Sequence, residues 1–141
     1  MEVDYINGAK KEEMCGVSKY QFEIHKRLKN LKLNKIEYKP GSFIVKNINV
    51  SNVFKLYVLY PLLIKLKVKK GNIKHITSQN LAYILKFIKL DKCIITCYDL
   101  IPLVYEKGFS SDINLNGLKR ADRIITISEF SKNEIIKYVG Y

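Results

Sequence analysis

Short apolar runs alternate along this chain with longer segments in which apolar residues recur at every third or fourth position. The short runs predict strands at residues 3–6, 72–76, 93–97 and 123–127. In the last two runs β-branched residues follow one another directly, which is typical of strands buried on both faces of a parallel sheet. Strands that alternate with helices imply right-handed crossovers, so we expect an α/β fold with one doubly wound, mostly parallel sheet.

Residues 18–33 predict the first helix, because their apolar residues form a single stripe. The stripe consists of Val17, Tyr20, Ile24, Leu28 and Leu31. Ser18 and Gln21 have the spacing of a capping box, which would fix the start of this helix. A strand, a glycine-containing loop and a helix start follow one another here, an order whose backbone N–H groups can bind a phosphate or a hydroxyl group.

The middle of the chain predicts further elements. Residues 36–38 and 43–45 favour strands separated by a Pro-Gly turn. Residues 53–67 favour an amphipathic helix that is kinked or broken near Pro61. Residues 81–90 favour one more helix, with its apolar residues on a single face.

The region after residue 101 predicts less regular structure. Residues 102–116 contain Gly108, serines and asparagines, so we expect an irregular loop there. Ser131 and Glu134 repeat the capping-box spacing, which predicts a last helix that starts at this point.

Length and composition indicate one domain with a substantial core, because 48% of the 141 residues are hydrophobic. The formal net charge is +12, and only Arg27, Arg120 and Arg123 among the 25 basic residues are arginines. Compositional bias explains this lysine excess as well as a basic surface does, and such a surface would suit an anionic membrane or phosphate-bearing substrates. Nucleic acid is not an expected partner, because base recognition favours arginine.

Neither disulfides nor membrane insertion are expected. Cys93 and Cys97 lie on one predicted strand with their Cα atoms about 13 Å apart, which is too far for a disulfide. Buried thiols of this kind indicate a reducing, cytoplasmic location. The acidic N-terminus does not look like a secretion signal. The longest uncharged stretch of the most apolar region, residues 56–64, is far shorter than the roughly 20 residues that cross a bilayer.

The most informative pattern lies between residues 93 and 134. One predicted strand ends at Asp99, and the next ends just before Ser128, which opens a helix. Ligands bind at the carboxyl ends of the strands in open α/β sheets. We therefore expect Gly16, Asp99 and Ser128 to meet along one rim of the sheet and to form a ligand site.

Three short segments also carry a family resemblance. They are Thr96-Cys97-Tyr98-Asp99 with Pro102 shortly after, then Ala121-Asp122, and then Ser128-Glu129-Phe130-Ser131. This pattern resembles the N-terminal, acceptor-side domain of the retaining GT-B glycosyltransferases of the family 4 type. That family typically has Thr-x-His-Asp with a proline shortly after, then Ala-Asp, a strand, and Ser-x-Phe-Ser opening a helix. Tyr98 stands where the family usually has histidine, which puts the acceptor chemistry in doubt.

The resemblance runs from the first predicted strand to the last predicted helix. It implies that residues 1–141 form a Rossmann-like glycosyltransferase N-terminal domain, one half of a GT-B fold whose nucleotide-sugar-binding C-terminal domain is absent. The implied activity is hexosyl transfer from a nucleotide-sugar to a lipid-linked or saccharide acceptor, with no cofactor and no carboxylate-bound metal. We expect a truncated enzyme that is inactive or weak unless a C-terminal partner chain joins it.

The same resemblance suggests catalytic positions at Asp99 and Tyr98. A carboxylate at Asp99 could accept a hydrogen bond from a sugar hydroxyl, although a turn cap before Pro102 is nearly as good an explanation. The phenol of Tyr98 can donate a hydrogen bond, but it cannot act as a base near neutral pH.

Four further positions are candidates for binding. Gly16 would let the backbone approach the donor phosphates, or would simply be a turn glycine. Ser128 would direct a helix N-terminus towards the same group, or would simply cap the helix. His75 and Cys15 are candidates for substrate binding, with scaffolding as the simpler role for the histidine.

A second hypothesis belongs to another class of function. Basic residues crowd the helix predicted at residues 53–67, beside tyrosines and leucines: Lys55, Lys65, Lys67, Lys69 and Lys70 with Tyr57, Leu59, Tyr60 and Leu63. A basic amphipathic helix with aromatic residues can lie on a membrane surface, although a solvated face over a packed stripe is more common. The chain would then be a non-catalytic α/β module that docks on polyanions or on the inner face of the membrane.

Overall fold

Five strands form a single parallel sheet in this computed structural model, which describes residues 2–8, 16–28, 30–37, 52–106 and 108–141. The strands are β1 (Glu2–Asn7), β2 (Lys32–Glu37), β3 (Ile73–Ile76), β4 (Cys93–Cys97) and β5 (Arg123–Thr126). Their order in the sheet is β2-β1-β3-β4-β5, and every neighbouring pair is parallel. The expected Rossmann-like α/β fold with a doubly wound sheet is confirmed.

Side chains alternate between the two faces of this sheet. Tyr5 and His75 lie opposite each other on the face that is covered by α1 (Gly16–Arg27), and the hydroxyl of Tyr5 donates to the carbonyl of Gln21 in that helix. The other face carries the main apolar core, whose sheet residues include Ile6, Ile36, Ile76 and Ile95. We call these two sides the α1 face and the core face.

A long helix at residues 52–67 covers part of the core face. It consists of α2 (Asn52–Phe54), a π-helical segment (Lys55–Leu59) and α3 (Tyr60–Lys67). The expected break near Pro61 is absent, and the helix instead widens just before the proline, where the amide of Tyr60 donates to the carbonyl of Lys55. Pro61, which has no N–H to donate, follows directly in the first turn of α3, so the wider turn lies next to the missing hydrogen bond.

The remaining helices are short, apart from the last two. They are a 3₁₀ turn (Gln79–Leu81), α4 (Ile84–Phe87), α5 (Ile101–Tyr105), α6 (Phe109–Leu118) and α7 (Glu129–Val139). The single helix expected at residues 81–90 is therefore replaced by two shorter pieces. One cause is tertiary, because the amide of Tyr83 donates to the side chain of Asn114 in α6 instead of continuing a regular helix.

The irregular loop expected at residues 102–116 is wrong, because α5 and α6 occupy most of it. The polar residues that suggested a loop are partly inside the protein: Ser111 and Asn114 are buried, and each donates a hydrogen bond to a backbone carbonyl. Gly117 lies so close to the preceding segment that a Cβ atom there would be 2.0 Å from the carbonyl oxygen of Ala82. Tertiary contacts rather than apolar periodicity thus determine this helix.

Two predicted helix starts are also wrong. The first helix begins at Gly16 and ends at Arg27, so Ser18 lies inside it rather than at its cap. β2 occupies the region where the sequence predicted the end of that helix and a strand at residues 36–38. Its six residues pair with β1. In α7 the N-cap is Ser128 rather than Ser131. The strand expected at residues 43–45 lies outside the described residues.

A buried carboxylate and a buried lysine hold the amino ends of the strands together. Asp4 is fully buried, and its carboxylate accepts hydrogen bonds from Asn34 (2.8 Å), Asn72 (3.1 Å) and the amide of Lys69 (2.9 Å). Lys74, beside it in the sheet, is buried as well and donates to Asp91 over 2.9 Å. This amino edge is therefore a closed structural network.

Candidate functional site

The opposite edge, where the parallel strands end, carries a different set of polar side chains. Asn7 is the last residue of β1, Thr77 follows β3, Asp99 follows β4, and Ser128 follows β5. Because all strands run in the same direction, these ends lie along one side of the sheet. We call this side the carboxyl edge.

Hydrogen bonds join the first two strand ends to α1. The Thr77 hydroxyl donates to the side-chain oxygen of Asn7 over 2.8 Å. Gln21 of α1 donates both to that hydroxyl (3.0 Å) and to the carbonyl of Thr77 (3.2 Å). Gln21 was expected to cap its own helix, but the helix starts at Gly16, so Gln21 lies beyond the first turn and binds Thr77 instead.

Tyr98 supports the carboxyl edge from the α1 face. Its ring is 7% exposed and packs edge-on against Tyr20 of α1, with 5.4 Å between ring centroids. Its hydroxyl donates to the carbonyl of Thr77 (3.0 Å), and its amide donates to Gln79 (3.1 Å). The phenolic proton is therefore used inside the protein, in a contact that joins the ends of β3 and β4.

Asp99 is in the opposite situation. One of its carboxylate oxygens, Oδ1, is buried and has no hydrogen-bond partner among the described residues. Burial, assisted by the negative charge of Asp99, raises the pKa of the neighbouring Cys97 to about 12, so this thiol stays protonated at neutral pH. A buried acceptor without a donor is costly and therefore rare in folded proteins. Asp99 thus offers an open acceptor at the carboxyl edge.

The N-terminus of α7 is tied directly to the residue before Asp99. The hydroxyl of Ser128 accepts a hydrogen bond from the amide of Ser131 over 3.1 Å, as an N-cap does. The hydroxyl of Ser131 in turn donates to the carbonyl of Tyr98 over 2.8 Å. The end of β4 and the start of α7 are therefore held in a fixed relation to each other.

The structure brings three of the predicted site residues to one edge. Gly16 is the first residue of α1, one helical turn before Tyr20, whose ring touches Tyr98. Asp99 and Ser128 lie at the neighbouring strand ends. The meeting of Gly16, Asp99 and Ser128 in one ligand site stays a prediction.

One further candidate, His75, is not part of this group. His75 lies inside β3, where its Nε2 is 2.8 Å from the Thr96 hydroxyl and its ring packs edge-on against Tyr5. Burial lowers the pKa of His75 to about 4, so its imidazole is neutral at pH 7. Cys15 lies outside the described residues.

Two polar residues of the carboxyl edge were not predicted from the sequence, whereas its acid, Asp99, was. Thr77 and Gln79, both buried, were not singled out, although a polar residue directly after a predicted strand is the same signal that identified Asp99. Asp122 of the Ala-Asp pair precedes β5 and therefore lies at the amino edge, where its carboxylate accepts from the amide of Cys93 over 2.7 Å. That acid is structural.

The described part of the chain contains no group of three or more histidine, cysteine or acidic side chains that could hold a metal ion. None of its helices has both the length and the apolar character needed to cross a bilayer. Comparison of the chain with protein-family models, with curated proteins and with solved structures found no match.

Proposed function

We propose that this chain is the acceptor-binding half of a glycosyltransferase. It binds a saccharide or lipid-linked acceptor at the carboxyl edge, while a second domain or partner chain binds most of the nucleotide-sugar. The observation that carries this proposal is the buried, unpaired Oδ1 of Asp99. A hydroxyl group of the acceptor would donate to this oxygen, which has no partner among the described residues.

The surroundings of Asp99 support the proposal because they are already rigid. Tyr98 is held by the hydrogen bonds to Thr77, Gln79 and Ser131, so the backbone next to Asp99 is fixed before any ligand arrives. A site whose supporting groups are fixed in this way loses little entropy when it binds. Hydroxyl and amide side chains at Asn7, Thr77 and Ser128 suit a hydroxyl-rich ligand.

In the proposed reaction, an acceptor hydroxyl oxygen forms a bond to the anomeric carbon of the donor sugar while the bond from that carbon to the donor phosphate breaks. The hydroxyl proton passes to the departing phosphate. Asp99 orients the hydroxyl, and the start of α1 at Gly16 contributes backbone N–H groups near the phosphate. Tyr98 positions the loop and takes no proton, because a phenol is a poor base near neutral pH.

A transfer assay tests this proposal. Radiolabelled UDP-glucose and GDP-mannose are supplied with polyprenyl phosphate or short saccharides, with and without a candidate C-terminal partner chain. We expect little turnover by the isolated chain and clear turnover with the partner. Asp99→Asn should lower the turnover by about tenfold or more, the effect of losing a hydrogen bond to a charged group.

The matched control is Asp112→Asn, which makes the same charge change at an exposed position on α6. It should leave turnover unchanged. Strong turnover by the isolated chain would contradict the half-enzyme proposal. Equal effects of the two substitutions would contradict the role of Asp99.

A further inference from the structure

The long helix at residues 52–67 has a second apolar side that faces solvent. Phe54, Val58, Leu62 and Leu66 are spaced four residues apart and therefore lie on one side of the helix. Their exposed fractions are 43%, 36%, 49% and 82%. The opposite side packs into the core through Tyr60 and Ile64, which are almost fully buried.

Two aromatic side chains from other elements widen this exposed row. Phe87 of α4 and Phe109 of α6 are 46% and 70% exposed. Both contact the ring of Tyr57 in the long helix, with 6.1 Å and 5.7 Å between ring centroids. We define the outer patch as six side chains: Phe54, Val58, Leu62, Leu66, Phe87 and Phe109. Large exposed apolar side chains that gather on one side of a protein often mark a surface that binds a partner.

The stretch that carries the long helix and Phe87 has charge of one sign, whereas Phe109 lies near the exposed acids Glu106 and Asp112. Residues 52–90 contain eight lysines and no aspartate or glutamate, so all 13 acidic residues of the chain lie outside this stretch. Six of these lysines are exposed, four at the end of the long helix and two beside Phe87: Lys65, Lys67, Lys69, Lys70, Lys86 and Lys89. The apolar surface along the long helix and beside Phe87 is therefore bordered by positive charge.

We propose that the outer patch docks on an anionic lipid bilayer. The long helix would lie in the plane of the interface, with the patch among the upper acyl chains and the lysines at the lipid phosphates. Lysine suits this position because its apolar stem can lie along the patch while its ammonium group reaches the headgroups. The inference does not depend on sugar transfer, since the patch and the carboxyl edge share no residue.

A bilayer fits this surface better than other anionic partners do. Nucleic acid would satisfy the lysines but leave six large apolar side chains against phosphates and water. An acidic protein would need apolar side chains arranged to match the patch. A bilayer offers acyl chains to the apolar side chains and phosphates to the lysines at once, and it needs no fixed shape.

Vesicle co-sedimentation tests the proposal with the full chain. Vesicles of phosphatidylcholine mixed with phosphatidylglycerol are compared with vesicles of phosphatidylcholine alone, at low and high salt. We expect binding to the mixed vesicles only, weakening as salt rises. The double variant Leu62→Gln/Leu66→Gln should lose most of this binding. Lys65→Gln/Lys67→Gln should weaken it by about fivefold per lysine removed.

Matched controls make the same chemical changes at exposed positions outside the outer patch. Phe130→Gln/Ile136→Gln replaces two exposed apolar residues of α7, and Lys119→Gln/Lys132→Gln removes two exposed lysines. Both should bind vesicles as the wild type does, and so should Asp99→Asn. Circular dichroism melting shows which variants remain folded, and only these are compared.

Four results would overturn the proposal. The first is no binding to the mixed vesicles, and the second is unchanged vesicle binding by the folded Leu62→Gln/Leu66→Gln variant. The third is tighter binding to polyuridylate than to vesicles, which would indicate a general polyanion binder. The fourth is a dimer in sedimentation velocity that the same double variant dissociates, which would assign the patch to a second copy of the chain.

Discussion

Three carboxylates beside the strands have different surroundings, and the difference separates structural acids from the candidate functional one. Asp4 and Asp122, at the amino edge, accept hydrogen bonds from neighbouring segments. Asp99, at the carboxyl edge, keeps one buried oxygen that has no donor in the part of the chain that the structure describes. The sequence predicts opposite edges for Asp122 and Asp99, because one precedes a strand and the other follows a strand, whereas Asp4 lies inside β1. The sequence does not predict how many donors each acid receives, because these come from distant segments.

This contrast predicts opposite effects of the same substitution on stability. Asp4→Asn places an N–H donor among three donors and should lower the free energy of unfolding by about 1–3 kcal/mol. Asp99→Asn lowers the charge on a group whose buried Oδ1 has no donor among the described residues, and should leave that free energy unchanged or slightly higher. Urea unfolding followed by circular dichroism measures both. A loss for Asp99→Asn as large as that for Asp4→Asn would mean that Asp99 is structural.

At the scale of elements, the strands were better predicted than the helices. The cores of β1, β3, β4 and β5 lie where the short apolar runs placed them. The helices differ because tertiary contacts decide their limits: β2 replaces the expected end of α1 by pairing with β1, and Asn114 of α6 binds the amide of Tyr83. A sequence pattern predicts which face of a helix is apolar, but it does not predict which polar side chain forms a hydrogen bond with a residue distant in the chain.

The packing of α6 gives a prediction at this scale. Gly117→Ala places a methyl group against the backbone carbonyl of Ala82, which a side-chain rotation cannot relieve. We expect α6 to shift and the free energy of unfolding to fall by about 1–3 kcal/mol. Gly108→Ala is the control, because a Cβ atom there meets nothing within 4 Å. Thermal melting of both variants measures the difference, and equal melting temperatures would contradict the close approach of α6.

At the scale of the whole molecule, the proposed functions occupy separate surfaces. The carboxyl edge gathers hydroxyl, amide and carboxylate groups from strands that are distant in sequence. The outer patch lies on helices of the core face, and five of its six residues belong to a stretch without acidic residues. Lipid docking and acceptor binding are therefore compatible in one chain, as a lipid-linked acceptor would require. The sequence indicated the basic helix, but its tyrosines pack inward and its exposed row of apolar side chains was not foreseen.

The most direct test of acceptor binding at the carboxyl edge is a map of amide chemical shifts in ¹⁵N-labelled chain titrated with short saccharides. The account predicts that the shifts concentrate at Gly16, Thr77, Asp99 and Ser128, and that Asp99→Asn weakens the titration by about tenfold. Shifts that concentrate at the amino edge, around Asp4 and Asp122, or a titration that Asp99→Asn leaves unchanged, would contradict it.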